Sequence, residues 1–233
     1  MRFNPLAPFK RKPAMTKLLY IKASPRGDGS KSAAIAEAYL DAFKAAHPAA
    51  SIDTLDLARE RLPDFDGDKV NAKMSIITGQ AHDGAQKTAW DEITAIANRF
   101  IAADRYLFAV PMWNGGIPYK LKQYIDLIHQ PDLLFGLEPA SGYFGLLKNK
   151  KAVLALTSGA YGPDMPSPAF GVDHHSTYLR FWLNQAGVSE IEEIRFQPTL
   201  LTNDPEGGLN AALDAAALRL PAAAASRVWA RIG

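Results

Sequence analysis

The sequence predicts an α/β fold in which a parallel sheet is covered by helices on both faces. Three observations predict it. Apolar strand-like runs alternate with amphipathic segments along the chain, with no low-complexity linker between them. The strand-like runs are continuously apolar and stop at turn formers, as strands buried on both faces do. The intervening segments repeat their large apolar residues at helical spacing.

The first strand is Leu18-Leu19-Tyr20-Ile21, which breaks at Ser24-Pro25-Arg26-Gly27-Asp28-Gly29. Ile35, Tyr39 and Phe43 follow at i, i+4, i+8 and predict a helix with one buried stripe. A second strand is expected over 51–57, and Met74, Ile76 and Ile77 suggest a short helix. The segment 88–102 reads as a helix through Trp90, Ile93, Ile96, Ala97 and Phe100, and 106–110 is the most strand-like run in the chain. Pro118 opens another helix, as proline at a first helical position does. The glycine- and proline-bearing stretch 131–147 predicts a loop or small hairpin. The fourth strand is expected over 152–156, a helix over 174–186, a fifth strand over 191–196 and an alanine-rich helix over 209–220.

Composition narrows the function. The 233 residues are 48% apolar and 21% charged, enough to bury a core without covalent staples. A single domain over 15–233 is expected, preceded by a basic, proline-bearing leader over 1–14 read as disordered. A formal charge of +2 without a basic stripe argues against nucleic acid as a partner, and no run reaches the roughly 18–20 apolar residues of a membrane span. The absence of cysteine excludes disulfides, thiolate metal sites and thiol nucleophiles, and leaves the cytoplasm as the expected compartment.

Ligands of such sheets bind outside the carboxyl ends of the strands. The loop after the first strand reads SPRGDGSKS from Ser24 to Ser32. Its glycines keep the backbone open, Ser24, Ser30 and Ser32 offer hydroxyls, and the helix start offers amides and a positive dipole end, as a phosphate requires. Arg26 and Lys31 add charge. It is neither a P-loop nor a GxGxxG fingerprint, and a simple N-cap at Ser30 followed by a helix explains the same residues. After the third strand comes Pro111-Met112-Trp113-Asn114-Gly115-Gly116-Ile117-Pro118. A flavin ring is planar and apolar but edged by polar atoms. Met112 and Trp113 can cover a face of it while glycine-exposed amides meet the edge. A helix entry with a buried tryptophan is the plainer reading of that segment.

SPxGxxSxS after the first strand and PMWNGGIPxxLKxYIDxI after the third resemble the FMN-dependent NADH:quinone oxidoreductase and azoreductase family, and LTSGAYG after the fourth fits the same pattern. The resemblance spans about 17–220. It implies a flavodoxin-like fold with five parallel strands in the order 2-1-3-4-5 and non-covalent FMN. It further implies NADH or NADPH as donor and small-molecule acceptors such as quinones, azo dyes or nitroaromatics, in a ping-pong two-electron reaction. A homodimer is implied as well. Carried over by position, Ser24, Ser30, Lys31 and Ser32 match the phosphate segment, and Pro111 to Gly115 contain the ring segment Met112-Trp113-Asn114-Gly115. Ser158, Gly159 and Tyr161 fall in the segment after the fourth strand. The family often has tyrosine and phenylalanine where Trp113 and Gly115 stand, and arginine where Gly159 stands. No catalytic residue is implied, because the cofactor carries the chemistry.

Phe135 and Phe170 are further candidates for the pocket mouth. His174-His175 reads as helix-start or surface residues, since neighbours on a helix point apart and cannot easily share a metal. His129 suits a helix C-terminus. No GxSxG elbow is present. Two rivals remain at this level, namely a flavodoxin-like electron carrier and a non-redox protein that has lost the cofactor.

Overall fold

The computed structural model describes residues 15–220, so the expected leader 1–14 lies outside the described residues. Strands β1 (Lys17–Lys22), β2 (Ser51–Asp56), β3 (Arg105–Pro111), β6 (Lys151–Thr157) and β7 (Glu190–Phe196) form a parallel sheet in the order β2-β1-β3-β6-β7. Read over the five sheet strands in chain order, this is the expected 2-1-3-4-5. The strands β4 (Phe135–Glu138) and β5 (Gly142–Gly145) form a separate antiparallel hairpin, the small hairpin anticipated over 131–147.

Side-chain alternation along the strands splits the core into two layers. Tyr106, Phe108 and Val110 of β3 face one side with Leu19 and Ile21 of β1, while Leu107 and Ala109 face the other with Leu18 and Tyr20. Helices α1 (Lys31–Ala46) and α6 (Pro205–Leu218) cover the second side through Ile35, Tyr39, Phe43, Ala212 and Ala216. Helices α3 (Gly84–Ile101), α4 (Tyr119–Ile128) and α5 (Ser176–Ala186) cover the first, where Phe100 stacks on Tyr106 at 4.1 Å and Trp182 meets Phe108 edge-on. Helix α2 (Gly67–Thr78) packs on α3.

The helix starts explain where boundaries differ from the sequence reading. Asp83 and Gln86 form a capping box that starts α3 at Gly84, before the apolar periodicity begins. Asp204 caps α6, with Pro205 in its first turn, and starts it ahead of the alanine run. Pro118 is the N-cap of α4 and not its first residue. At α5 the Asp173 carboxylate accepts from the Ser176 and His175 amides at 2.7 and 3.1 Å. Burial opposes ionisation of Asp173, but hydrogen bonds from Ser176 and the nearby Arg195 charge hold its pKa below the ordinary carboxylate value.

His175 begins α5 as expected, yet it is fully buried, its ring facing the Val110 backbone without a well-formed hydrogen bond. Burial holds its pKa down at about 4. The unfolded chain takes up this proton near the ordinary histidine value of roughly 6.5, so stability is unaffected above that pH. It falls toward pH 4, by up to about 1.4 kcal/mol per pH unit from this group. Urea denaturation at several pH values should show His175→Gln with a shallower loss between about pH 6.5 and 4 than the wild type.

Among the described residues, no helix is long and apolar enough to cross a membrane. Nor is any group of three or more His, Asp or Glu side chains placed to hold a metal ion among them.

Candidate cofactor site

Parallel pairing of β1, β3 and β6 brings the loops after Lys22, Pro111 and Thr157 to one end of the sheet. A cavity of about 250 Å³ opens between them. At one end stand Ser24, Arg26, Ser30 and Lys31, and at the other Met112, Trp113, Ser158 and Gly159.

The first end is built by the start of α1. Ser30 is its N-cap, and the Ser30 hydroxyl accepts from the Ala33 amide at 3.2 Å. The amides of Lys31 and Ser32 precede any possible helical acceptor and are left pointing out of the helix. Ser30 Oγ and Ser32 Oγ lie 3.2 Å apart, both buried. Lys31 Nζ sits 5.1 Å over the Phe196 ring. Hydroxyls, free amides, a helix dipole and a lysine converge here, as an anion needs. The cap reading and the anion reading of Ser30 are therefore compatible.

The turn after β3 has a defined shape. Trp113 N donates to Gly116 O at 2.9 Å and Gly116 N returns to Trp113 O at 3.0 Å. Between them Asn114 and Gly115 have φ of 50° and 82°, so the four residues form a type I′ turn. The Met112 amide is taken by Thr157 O at 2.6 Å, which prolongs the β3–β6 ladder by one bond. The amides left free in this turn are those of Asn114 and Gly115. Gly115 occupies a left-handed position with open space around it, and a larger residue there would be strained by its backbone and not by neighbours.

Trp113 is 41% exposed and is shared by three cavities. Beyond it lies the largest, of about 630 Å³, walled by Phe65, Tyr119, Tyr178 and His174 together with Asn114. A third, of about 320 Å³, is bounded by Pro25, Ala58 and Pro118. In the loop after β6 the Ser158 hydroxyl donates to Tyr161 O and keeps its lone pairs available as acceptors.

The structure thus brings Ser24, Ser30, Lys31, Pro111, Met112, Trp113, Ser158 and Gly159 to one cavity, with Ser32 just behind Ser30. Asn114 faces the adjoining larger cavity, and Gly115 is at the turn tip. Three candidates stand apart. The Tyr161 Cβ lies beside Gly171, and its ring faces the Asp173 carboxylate; burial and that charge raise its pKa. Phe135, the first residue of β4, is buried between His129 and Tyr143. Phe170 is 37% exposed in the loop before α5 and lines none of these cavities. Thr199 and Leu200 also line the 250 Å³ cavity; the sequence does not signal them, because a threonine and a leucine after a strand form no distinguishing pattern.

Known proteins similar to this chain share its fold. The family described as "Flavodoxin-like fold" matches residues 16–220. The FMN-dependent NADH:quinone oxidoreductase of Ruegeria pomeroyi is 48% identical over 201 residues, covering 86% of this chain and 98% of that one. The protein of the same name from Desulfotalea psychrophila is 42% identical over 80% of this chain and 87% of its own. Among solved structures, an azoreductase from Bacillus anthracis superposes with a TM-score of 0.78 at 28% identity, covering 87% of this chain and 97% of that one. An FMN-dependent NADH-azoreductase from the same species, solved in complex with FMN, gives 0.74 at 25% identity over 87% of this chain and 96% of that one. The chain belongs to the flavodoxin-like family of FMN-dependent NADH:quinone oxidoreductases and azoreductases.

Proposed function

We propose that this chain is an FMN-dependent NADH:quinone oxidoreductase, able also to reduce azo or nitroaromatic compounds. The observation that carries the reading is the single cavity that joins a serine-capped helix start and a lysine to a glycine turn bearing a tryptophan. Its two ends differ as FMN does, anionic at one end and planar and apolar at the other. The donor set fits that cofactor, with Ser30, Ser32, Lys31 and the first amides of α1 toward its phosphate. Met112, Trp113 and the free amides of Asn114 and Gly115 would hold its ring, and Ser158 offers an acceptor. When bound, FMN supplies a group that accepts two electrons from NADH and passes them to a quinone.

The protein's own part is to bind, orient and exclude water. No catalytic side chain is assigned, because a bound flavin would carry the chemistry. The 630 Å³ cavity beyond Trp113, with its aromatic walls, is the proposed entry for donor and acceptor. The electron-carrier alternative is not favoured, since the relatives at up to 48% identity are named as oxidoreductases.

We further propose a single domain over 15–233, a cytoplasmic location and a homodimer. Exposed Tyr143 and Phe144 of the hairpin and Phe181 of α5, an element that packs on the hairpin, support the homodimer as apolar surface for a second copy to cover. Sedimentation should then give twice the chain mass. The functional test is direct. Purified protein titrated with FMN should quench flavin fluorescence with saturation at one FMN per chain, and without oxygen the complex should oxidise one equivalent of NADH by itself and turn over continuously only when a quinone is supplied. Protein that binds FMN but does not turn over would return the carrier reading.

A further inference from the structure

Besides the three loops expected from the sequence, a fourth segment reaches the cofactor site. After β7 the chain turns back across the loop that follows β6. Thr199 N donates to Ser158 O at 2.8 Å and Gly159 O at 3.2 Å, and Leu200 N donates to Gly159 O at 3.0 Å. From the opposite side Lys31 Nζ reaches Thr199 O at 3.5 Å. The segment therefore spans the cavity, from the anion-binding helix start to the loop that carries Ser158. Thr199 and Leu200 line the same 250 Å³ space as Ser30 and Trp113.

Leu200 is held there by backbone bonds while its side chain is 75% exposed. Gly159 makes the room for it, because a Cβ at that position would lie 3.1 Å from Leu200 Cδ1. Gly159 thus leaves space that is bordered by a leucine from another loop. An apolar side chain fixed at the rim of a polar cavity gains by being covered, and a ligand filling the cavity supplies the cover.

We propose that Leu200, seated in the space left by Gly159, is a fourth wall of the cofactor site that retains bound FMN. The proposal rests on the reading that this cavity takes FMN. Retention by a contact that forms after docking acts chiefly on dissociation.

The test is a fluorescence titration of FMN-free protein with FMN, paired with stopped-flow dissociation. Leu200→Ala should raise Kd about tenfold, most of it through faster release, and Leu200→Met should stay within about threefold. The FMN-free Tm of Leu200→Ala should match the wild type, because the side chain is exposed, while the Tm rise on adding FMN shrinks. Gly159→Ala should weaken binding about threefold in the wild-type background, and its effect should shrink on top of Leu200→Ala, since the neighbour it crowds is gone. Leu200→Ala binding FMN within about twofold of the wild type overturns the proposal, as does a Gly159→Ala effect undiminished without Leu200. Wild-type protein that binds no FMN overturns both this and the function on which it rests.

Discussion

Ser30→Asp should raise the FMN dissociation constant at least a hundredfold while the chain stays folded. The two halves of that expectation come from the two roles of one side chain. As N-cap of α1, Ser30 accepts from the Ala33 amide, and aspartate fills that role as well as serine does. The helix start is therefore kept. A phosphate at the same place meets a carboxylate where it had met a hydroxyl, and two charges about 4 Å apart near a protein surface repel by up to about 4 kcal/mol. A hundredfold loss requires about 2.7 kcal/mol of that. Flavin fluorescence gives the affinity, and circular dichroism of the FMN-free protein tests the fold. A change under about threefold in a folded protein would move the phosphate away from this helix.

Gly187→Ala should destabilise the chain by about 3 kcal/mol, near the upper end for a single added methyl. Gly187 ends α5 in the left-handed conformation, with φ of 99°. A Cβ there would sit 2.3 Å from Leu147 O, and one on Gly145 would sit 2.1 Å from Gly187 N. The β5 end and the α5 end thus meet backbone to backbone, with no flexible side chain to yield. Strain at positive φ costs about 1–2 kcal/mol and displacement of the Leu147 backbone adds the rest. Urea denaturation measures the loss. A value below about 1 kcal/mol would mean that the two segments separate at little cost.

Most of the sheet was legible because its strands are apolar on both faces and leave a continuous signal, as in Leu107-Phe108-Ala109-Val110. Helix starts were less so. The capping box of Asp83 and Gln86 lies outside the apolar stripe of α3, so periodicity alone placed that start too late. At the site, Ser30 and Trp113 lie on loops that directly follow strands and Lys31 opens the helix after the first of them, and strand order fixes where those loops gather. Tyr161 and Phe135 were chosen by residue type, which carries no direction. Whether an aromatic faces a cavity or the core depends on contacts distant in sequence, such as His129 against Phe135. Leu200 was hidden for the same reason, since its relation to Gly159 exists only across two strand ends. His175 reads as a helix-start or surface residue; it does stand at the start of α5, but packing beside the Val110 backbone buries it.

Trp113 stands at the junction of three compartments. A residue in that position is a party wall, and no change of its size or shape stays on one side. With FMN held by Trp113 as proposed, widening the room for a bulkier acceptor would also loosen the hold on the cofactor. Variation in acceptor range among descendants of this chain therefore has its cheaper route through the remaining walls, at Phe65, Tyr119 or Tyr178, each of which borders the large compartment but not the 250 Å³ one.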